Sequence, residues 1–281
     1  MFAAILLLVV LALRPEGSPL LERLRARVLS ADPPRPARPS RAARPVAAPV
    51  VLSARGLAKH YGGVRALDGF DLEVGHGETV ALVGANGSGK TTALRALAGA
   101  LALDGGELEL DGRSVAGHGP VELASAGVVR TLQRTATFGT LTALECAVVG
   151  ASLHARQSGA FRALASTPKS RAEARELREA GLDSLRRVRL ERVADLPAAQ
   201  LDGFQQRRLM LAAALAARPR LLLLDEPSAG AARAEVDGLL EILAAIRAEG
   251  VSLLVVEHDE RFVRMLADRV VVMADGRAAP G

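Results

Sequence analysis

Nine consecutive residues have the types and spacing that phosphate chemistry needs: Gly84, Ala85, Asn86, Gly87, Ser88, Gly89, Lys90, Thr91 and Thr92. They follow an apolar run, Thr79 to Val83, and precede a helical pattern, Ala93 to Ala98. The order is strand, glycine loop, helix, with the spacing G-x-x-x-x-G-K-T. Glycines let successive backbone N–H groups point at one anion, and the helix N-terminus adds about half a positive charge behind them. Lys90 can reach β- and γ-phosphates, and the Thr91 hydroxyl suits Mg²⁺. A glycine turn that merely precedes a helix would not need Lys and Thr in register. The loop therefore implies binding of a nucleoside triphosphate. Further on, four leucines, 221–224, end in Asp225 and Glu226. Two carboxylates at the C-terminal end of a buried strand stand where ligands sit in parallel sheets. Asp225 there suits the Mg²⁺ shell, and Glu226 can polarise an attacking water. A second apolar run, Val251 to Val256, ends in Glu257, His258 and Asp259. His258 reads either as a solvated loop histidine or as a partner of the phosphate site.

The elements that must position these groups follow from periodicity. Short strand patterns occur at 51–55, 71–74 and 107–111. The only tyrosine, Tyr61, is expected in the loop between the first two, where its flat apolar face could take a nucleotide base. Val128 to Gln133 reads as a strand that ends on a polar residue. Thr142 with Glu145 makes a capping box, as does Ser170 with Glu173, the second opening a charged helix to about Arg187. Residues from about 143 to 216 thus form a mostly helical subdomain within an α/β domain. A final strand at 269–273 leads to a turn at Ala274, Asp275 and Gly276.

Composition bounds the setting. The chain has 281 residues, 49% hydrophobic, with no Trp and only 2% aromatic, so Leu, Val and Ala must fill the core. A single cysteine, Cys146, excludes an internal disulfide. The net charge of +5 lies wholly in residues 14–44, where eight arginines face Glu16, Glu22 and Asp32. The rest sums to zero, which speaks against a nucleic-acid footprint on the folded domain. Residues 2–13 are uniformly apolar, about 18 Å as helix and short of a hydrocarbon core of about 30 Å. Arginines follow this run instead of preceding it, unlike a signal peptide, and place that flank on the cytoplasmic side. Residues 1–30 read as the end of a membrane helix with a basic flank. Residues 31–50, rich in Pro, Ala and Arg, read as a linker.

From 51 to 277 the ordered set of Tyr61, the Gly84–Thr92 loop, Gln133, a segment at 201–207, Asp225-Glu226 and His258 resembles the ATP-binding subunit of ABC transporters. Val128 to Gln133 and Gln205 to Leu209 look most like the branched-chain amino-acid importers. The tail at 8–17 resembles the end of the last membrane helix of their permeases, as in a permease fused to its ATPase. The resemblance implies a P-loop NTPase of ABC ATPase type over 51–281. Its core would be a mostly parallel sheet, with the helical subdomain and an N-terminal antiparallel β portion. It implies ATP and Mg²⁺, with Thr91, Gln133 and Asp225 about the metal, Gln133 sensing the γ-phosphate, Glu226 as general base and His258 at the γ-phosphate. The implied partners are membrane permease subunits and a second ATPase subunit paired head to tail, at the cytoplasmic face of the membrane and without nucleic acid. A non-transport ABC ATPase and a catalytically impaired structural half of a heterodimer are the competing readings. Two segments depart from the family. Its signature, Leu-Ser-Gly-Gly-Gln or Leu-Ala-Tyr-Gly-Gln, is here Leu201, Asp202, Gly203, Phe204 and Gln205. The loop after Ser228 runs Ala229, Gly230, Ala231, Ala232, Arg233, without the usual Leu, Asn/Asp and Pro. The usual closing helix is also expected to be missing before Gly281. Asp202 and Phe204 would meet a partner's γ-phosphate, which points to a heterodimer with one competent site.

Overall fold

The computed structural model describes residues 49–131, 141–154 and 168–280. The tail expectation and Gln133 lie outside them, as does the linker except at its end, where Val50 is already the first residue of a strand. β1 (Val50–Tyr61) and β2 (Val64–Gly75) form a hairpin closed by Gly62 and Gly63, with Tyr61 paired to Val64. Tyr61 is therefore the last residue of a strand and not a loop residue. The extended chain keeps a pairing partner up to that point, and the reversal needs only the two glycines. β4 (Gly105–Leu110) and β5 (Arg113–Ser114) complete an antiparallel sheet in the order β2-β1-β4-β5.

The second sheet contains β3 (Thr79–Gly84), β6 (Val128–Arg130), β7 (Leu221–Asp225), β8 (Ser252–Val256), β9 (Arg269–Ala274) and β10 (Arg277–Pro280). Their order is β10-β9-β3-β8-β7-β6, parallel throughout except for β10. β6 ends at Arg130, three residues before the expected Gln133. The leucine run of β7 is explained by its two buried faces. Leu222 and Leu224 join one apolar cluster, and Leu221 and Leu223 the other. β8 alternates likewise, with Leu253 and Val255 on the first side and Leu254 and Val256 on the second. A strand covered on both faces has no polar side to show in its sequence.

The helices are α1 (Lys90–Leu97), α2 (Pro120–Ser125), α3 (Ala143–Ala151), α4 (Pro168–Arg187), α5 (Gly203–Ala216), α6 (Arg233–Ala248) and α7 (Glu260–Leu266). The box at Thr142 forms as expected. The Thr142 hydroxyl accepts from Glu145 N at 3.2 Å, and the Glu145 carboxylate accepts from Thr142 N at 2.8 Å. The second box does not set a helix start, because α4 is already helical at Pro168, two residues before Ser170. Proline suits a first helical position, where its missing N–H is one the helix cannot use. α3, α4 and α5 pack on one another. At Gly150 of α3, an added Cβ would lie 1.9 Å from Ala213 O of α5. Cys146 is buried in this packing, and burial, followed by the Glu145 charge, pushes its thiol up to about 12. It is inert.

Candidate active site

β3 delivers the chain into the glycine loop, and α1 takes it away from Lys90. The loop is fixed by its neighbours. A Cβ on Gly84 would stand 2.2 Å from Met273 O of β9, and one on Gly89 would stand 2.4 Å from Ala66 O of β2. Gly89 also has φ 107°, a conformation that side chains rarely adopt. Gly276, in the turn after β9, donates from its N–H to Ser88 O at 3.0 Å, and its own carbonyl accepts from Asp68 N at 3.0 Å. Loop, hairpin and β9–β10 turn thus form one frame.

Lys90 is 6% exposed, and its ammonium donates to Gly84 O and Ala85 O, both at 2.8 Å. Burial pushes this ammonium below its ordinary range, while the charges of Glu226 and Asp225 pull it back up. The Ser88 hydroxyl is buried without a hydrogen-bond partner. An orphan hydroxyl and a desolvated ammonium in one glycine loop fit a phosphate, which would satisfy both. The cleft beside them has a volume of about 620 Å³. It is walled by Val64, Asn86, Thr91, Thr92 and Glu226, among others. Tyr61 itself does not line it. The ring is 44% exposed at the hairpin end, with Lys59 Nζ 5.7 Å from its centroid.

Asp225 and Glu226 stand at the end of β7 as expected, and they do different things. The Asp225 side chain is 1% exposed, and its Oδ2 accepts from Arg130 Nη2 at 2.8 Å. The register places Arg130 beside Leu223, two residues back on the same face. A sequence pattern does not reveal this partner, because it arrives from 95 residues away. Glu226 is half-exposed toward the cleft, and its Oε1 lies 3.1 Å from His258 Nε2. Its φ of 47° is left-handed, a strained state for a non-glycine residue, and such strain concentrates at functional sites. The phosphate loop, Asp225, Glu226 and His258 are thus brought together at the carboxyl ends of β3, β7 and β8.

None of the segment at 201–205 lines that cleft, although Phe204 shares a second pocket with Asp225 and Glu226. Leu201 is buried, and Asp202 is the N-cap of α5. Its Oδ1 accepts from Gln205 N at 2.7 Å, and Gln205 Oε1 accepts from Asp202 N at 3.1 Å. Gly203 opens the helix with free space where a Cβ would stand. The Phe204 ring is half-buried against the helical core, with the Arg208 guanidinium 5.1 Å from its centroid.

A family model described as ABC transporter matches residues 67–229. The chain belongs to the ABC transporter family. This cassette is 37% identical over 227 residues to the high-affinity branched-chain amino acid transport ATP-binding protein BraF of Pseudomonas aeruginosa, covering 80% of this chain and 89% of that one. Its identity to the corresponding LivG protein of Escherichia coli is 34%, with the same coverage. Among solved structures, a nucleotide-free ATP-binding cassette from an ABC transporter superposes with TM-score 0.71 at 26% identity. The match spans 83% of this chain and 92% of that one. A dimeric cassette in a post-hydrolysis state, bound to ADP and phosphate, gives TM-score 0.67 at 25% identity, spanning 82% and 98%. The chain is an ATP-hydrolysing cassette and a membrane-associated transporter component. Among the described residues no helix is long and apolar enough to cross a membrane.

Proposed function

We propose that this cassette powers the import of branched-chain amino acids or related compounds through a membrane permease, from the cytoplasmic face. The observation that carries the hydrolytic reading is the contact of 3.1 Å between Glu226 Oε1 and His258 Nε2 at the cleft that Lys90 lines. The loop N–H groups and Lys90 hold the β- and γ-phosphates. Glu226 orients the attacking water, and His258 fixes the carboxylate and reaches toward the γ-phosphate. Transfer to water needs little covalent chemistry from the protein, so positioning and charge supply most of the acceleration. Mg²⁺, when bound, neutralises charge developing on the phosphate oxygens, and Thr91, Gln133 and Asp225 would hold it. Residues 1–30, as the end of a membrane helix, and the linker that follows them would keep the cassette at the membrane.

The second ATPase subunit in this reading is a different chain. This one brings an intact phosphate loop, Asp225, Glu226 and His258 to one nucleotide site of a head-to-tail pair. To the other site it brings Asp202 and Phe204. The test of the hydrolytic reading is Glu226→Gln in the assembled transporter. ATP binding by calorimetry is expected to stay within about two-fold, and phosphate release at the site it serves is expected to stop. Wild-type phosphate release would remove Glu226 from the role of base.

A further inference from the structure

One side chain that does not line the cleft joins the ends of β7 and β8. Glu257 follows the last residue of β8 and is 3% exposed. Its Oε1 accepts from Ser228 N at 2.8 Å. Its Oε2 accepts from His258 N at 2.8 Å and from Asp259 N at 3.3 Å. Close by, Glu226 N donates to Val256 O at 2.9 Å, and His258 Nε2 returns to Glu226 Oε1 at 3.1 Å. These contacts close a ring from Glu226 through Val256, Glu257 and His258 back to Glu226. Ser228 hangs from the same carboxylate two residues after Glu226. A buried carboxylate is costly unless every oxygen meets a donor, and here both do. Glutamine could not substitute. It offers one acceptor, and its amide N–H₂ would face a backbone N–H. Aspartate keeps both acceptor oxygens, but its shorter reach weakens the span between the two segments.

We propose that Glu257 is a positioning residue for ATP hydrolysis. Its carboxylate clamps the Glu226-Pro227-Ser228 turn to the His258 segment, so that base and histidine hold one geometry. The clamp explains how Glu226 keeps its left-handed backbone, since such a conformation persists only where its surroundings over-determine it. Through Ser228, 7% exposed, it also links the site to the segment between β7 and α6. The inference rests on the reading of Glu226 as the base.

The experiment is Glu257→Gln in the full chain, assembled with its permease and partner cassette, beside His258→Ala, the double variant and Glu226→Gln. Glu257→Gln is expected to lower kcat ten-fold or more, with KM and calorimetric Kd for ATP within two-fold of wild type. Added to His258→Ala, it should change kcat by less than two-fold, because both act on one geometry. Two outcomes overturn the clamp while Glu226→Gln is inactive: wild-type kcat in Glu257→Gln, or losses that multiply with His258→Ala and extend to ATP affinity. Wild-type turnover in Glu226→Gln instead rejects the base reading itself. Should Glu257→Gln fail to fold, Glu257→Asp carries the same cycle, with a smaller kcat loss expected and the same split from Kd.

Discussion

Lys90 donates to two carbonyls of its own loop, Gly84 O and Ala85 O, so the loop itself fixes where the cation stands. Lys90→Ala removes one charge-assisted phosphate contact, worth about 1.5–3 kcal/mol. ATP affinity by calorimetry is expected to fall about ten-fold or more, while the thermal melting curve still shows one cooperative transition. Unchanged affinity in a folded variant would take the phosphate away from this loop. The sequence makes Lys90, Asp225 and Glu226 legible because their spacing is local: Lys90 opens a helix after a glycine loop, and the two carboxylates close a strand. Arg130 and Glu257 are not legible as partners. Glu257 reads as one polar residue in Glu-His-Asp, and its burial depends on Ser228 arriving from 29 residues away. The loop position expected for Tyr61 fails for a different reason, since strand pairing runs on to Val64 right up to the two glycines.

At the level of elements, the helix starts differ in how they are capped. α3 and α5 each begin on a reciprocal capping box, whereas α6 begins on Ala232, which has no side-chain acceptor. Only the return half of the box exists there, with Glu235 Oε2 accepting from Ala232 N at 2.7 Å. Ala232→Asp supplies an acceptor to the first turn and a negative charge to the helix N-terminus. It is expected to stabilise the chain by about 1 kcal/mol, read as a higher urea midpoint at unchanged slope. A midpoint at or below wild type would show that this end is already satisfied. The same chemistry explains which elements the sequence revealed. Asp202 and Gln205 carry an acceptor and its return partner three residues apart, a capping pattern that the sequence shows in full. The Ser170 box misled because Pro168 had already opened the helix. The order of the parallel sheet, with β3 between β8 and β9, has no trace in periodicity, because periodicity reports which faces are buried and not which strands are neighbours.

At the scale of the assembled molecule, the altered segment at 201–205 sets the strongest expectation. In the branch it resembles, the aromatic precedes the glycine, and here Gly203 precedes Phe204. A shift of one position turns the ring by about 100° around a helix of 3.6 residues per turn. That is consistent with Phe204 lying against the helical core under Arg208 while the space beside Gly203 is open. The steric objection to Phe204 therefore weakens, and Asp202 becomes the stronger obstacle. Its carboxylate already occupies the N–H of Gln205 at the start of α5, and it would repel a partner's γ-phosphate. At 4 Å and an effective dielectric of about 20, such a pair of charges costs about 4 kcal/mol before screening. A homodimer would carry the defect at both sites. The purified chain alone is thus expected to hydrolyse ATP slowly. Asp202→Ser with Phe204→Gly should raise phosphate release at least ten-fold, provided that its melting curve confirms a folded chain, since a glycine within α5 costs about 1 kcal/mol. With a partner cassette of intact signature present, the unmodified chain should already show one working site, and the restored chain should gain the second. Rapid hydrolysis by the unmodified chain alone, or no gain on restoration beside the partner, would reject the asymmetric pair and leave the capped Asp202 compatible with an ordinary homodimer.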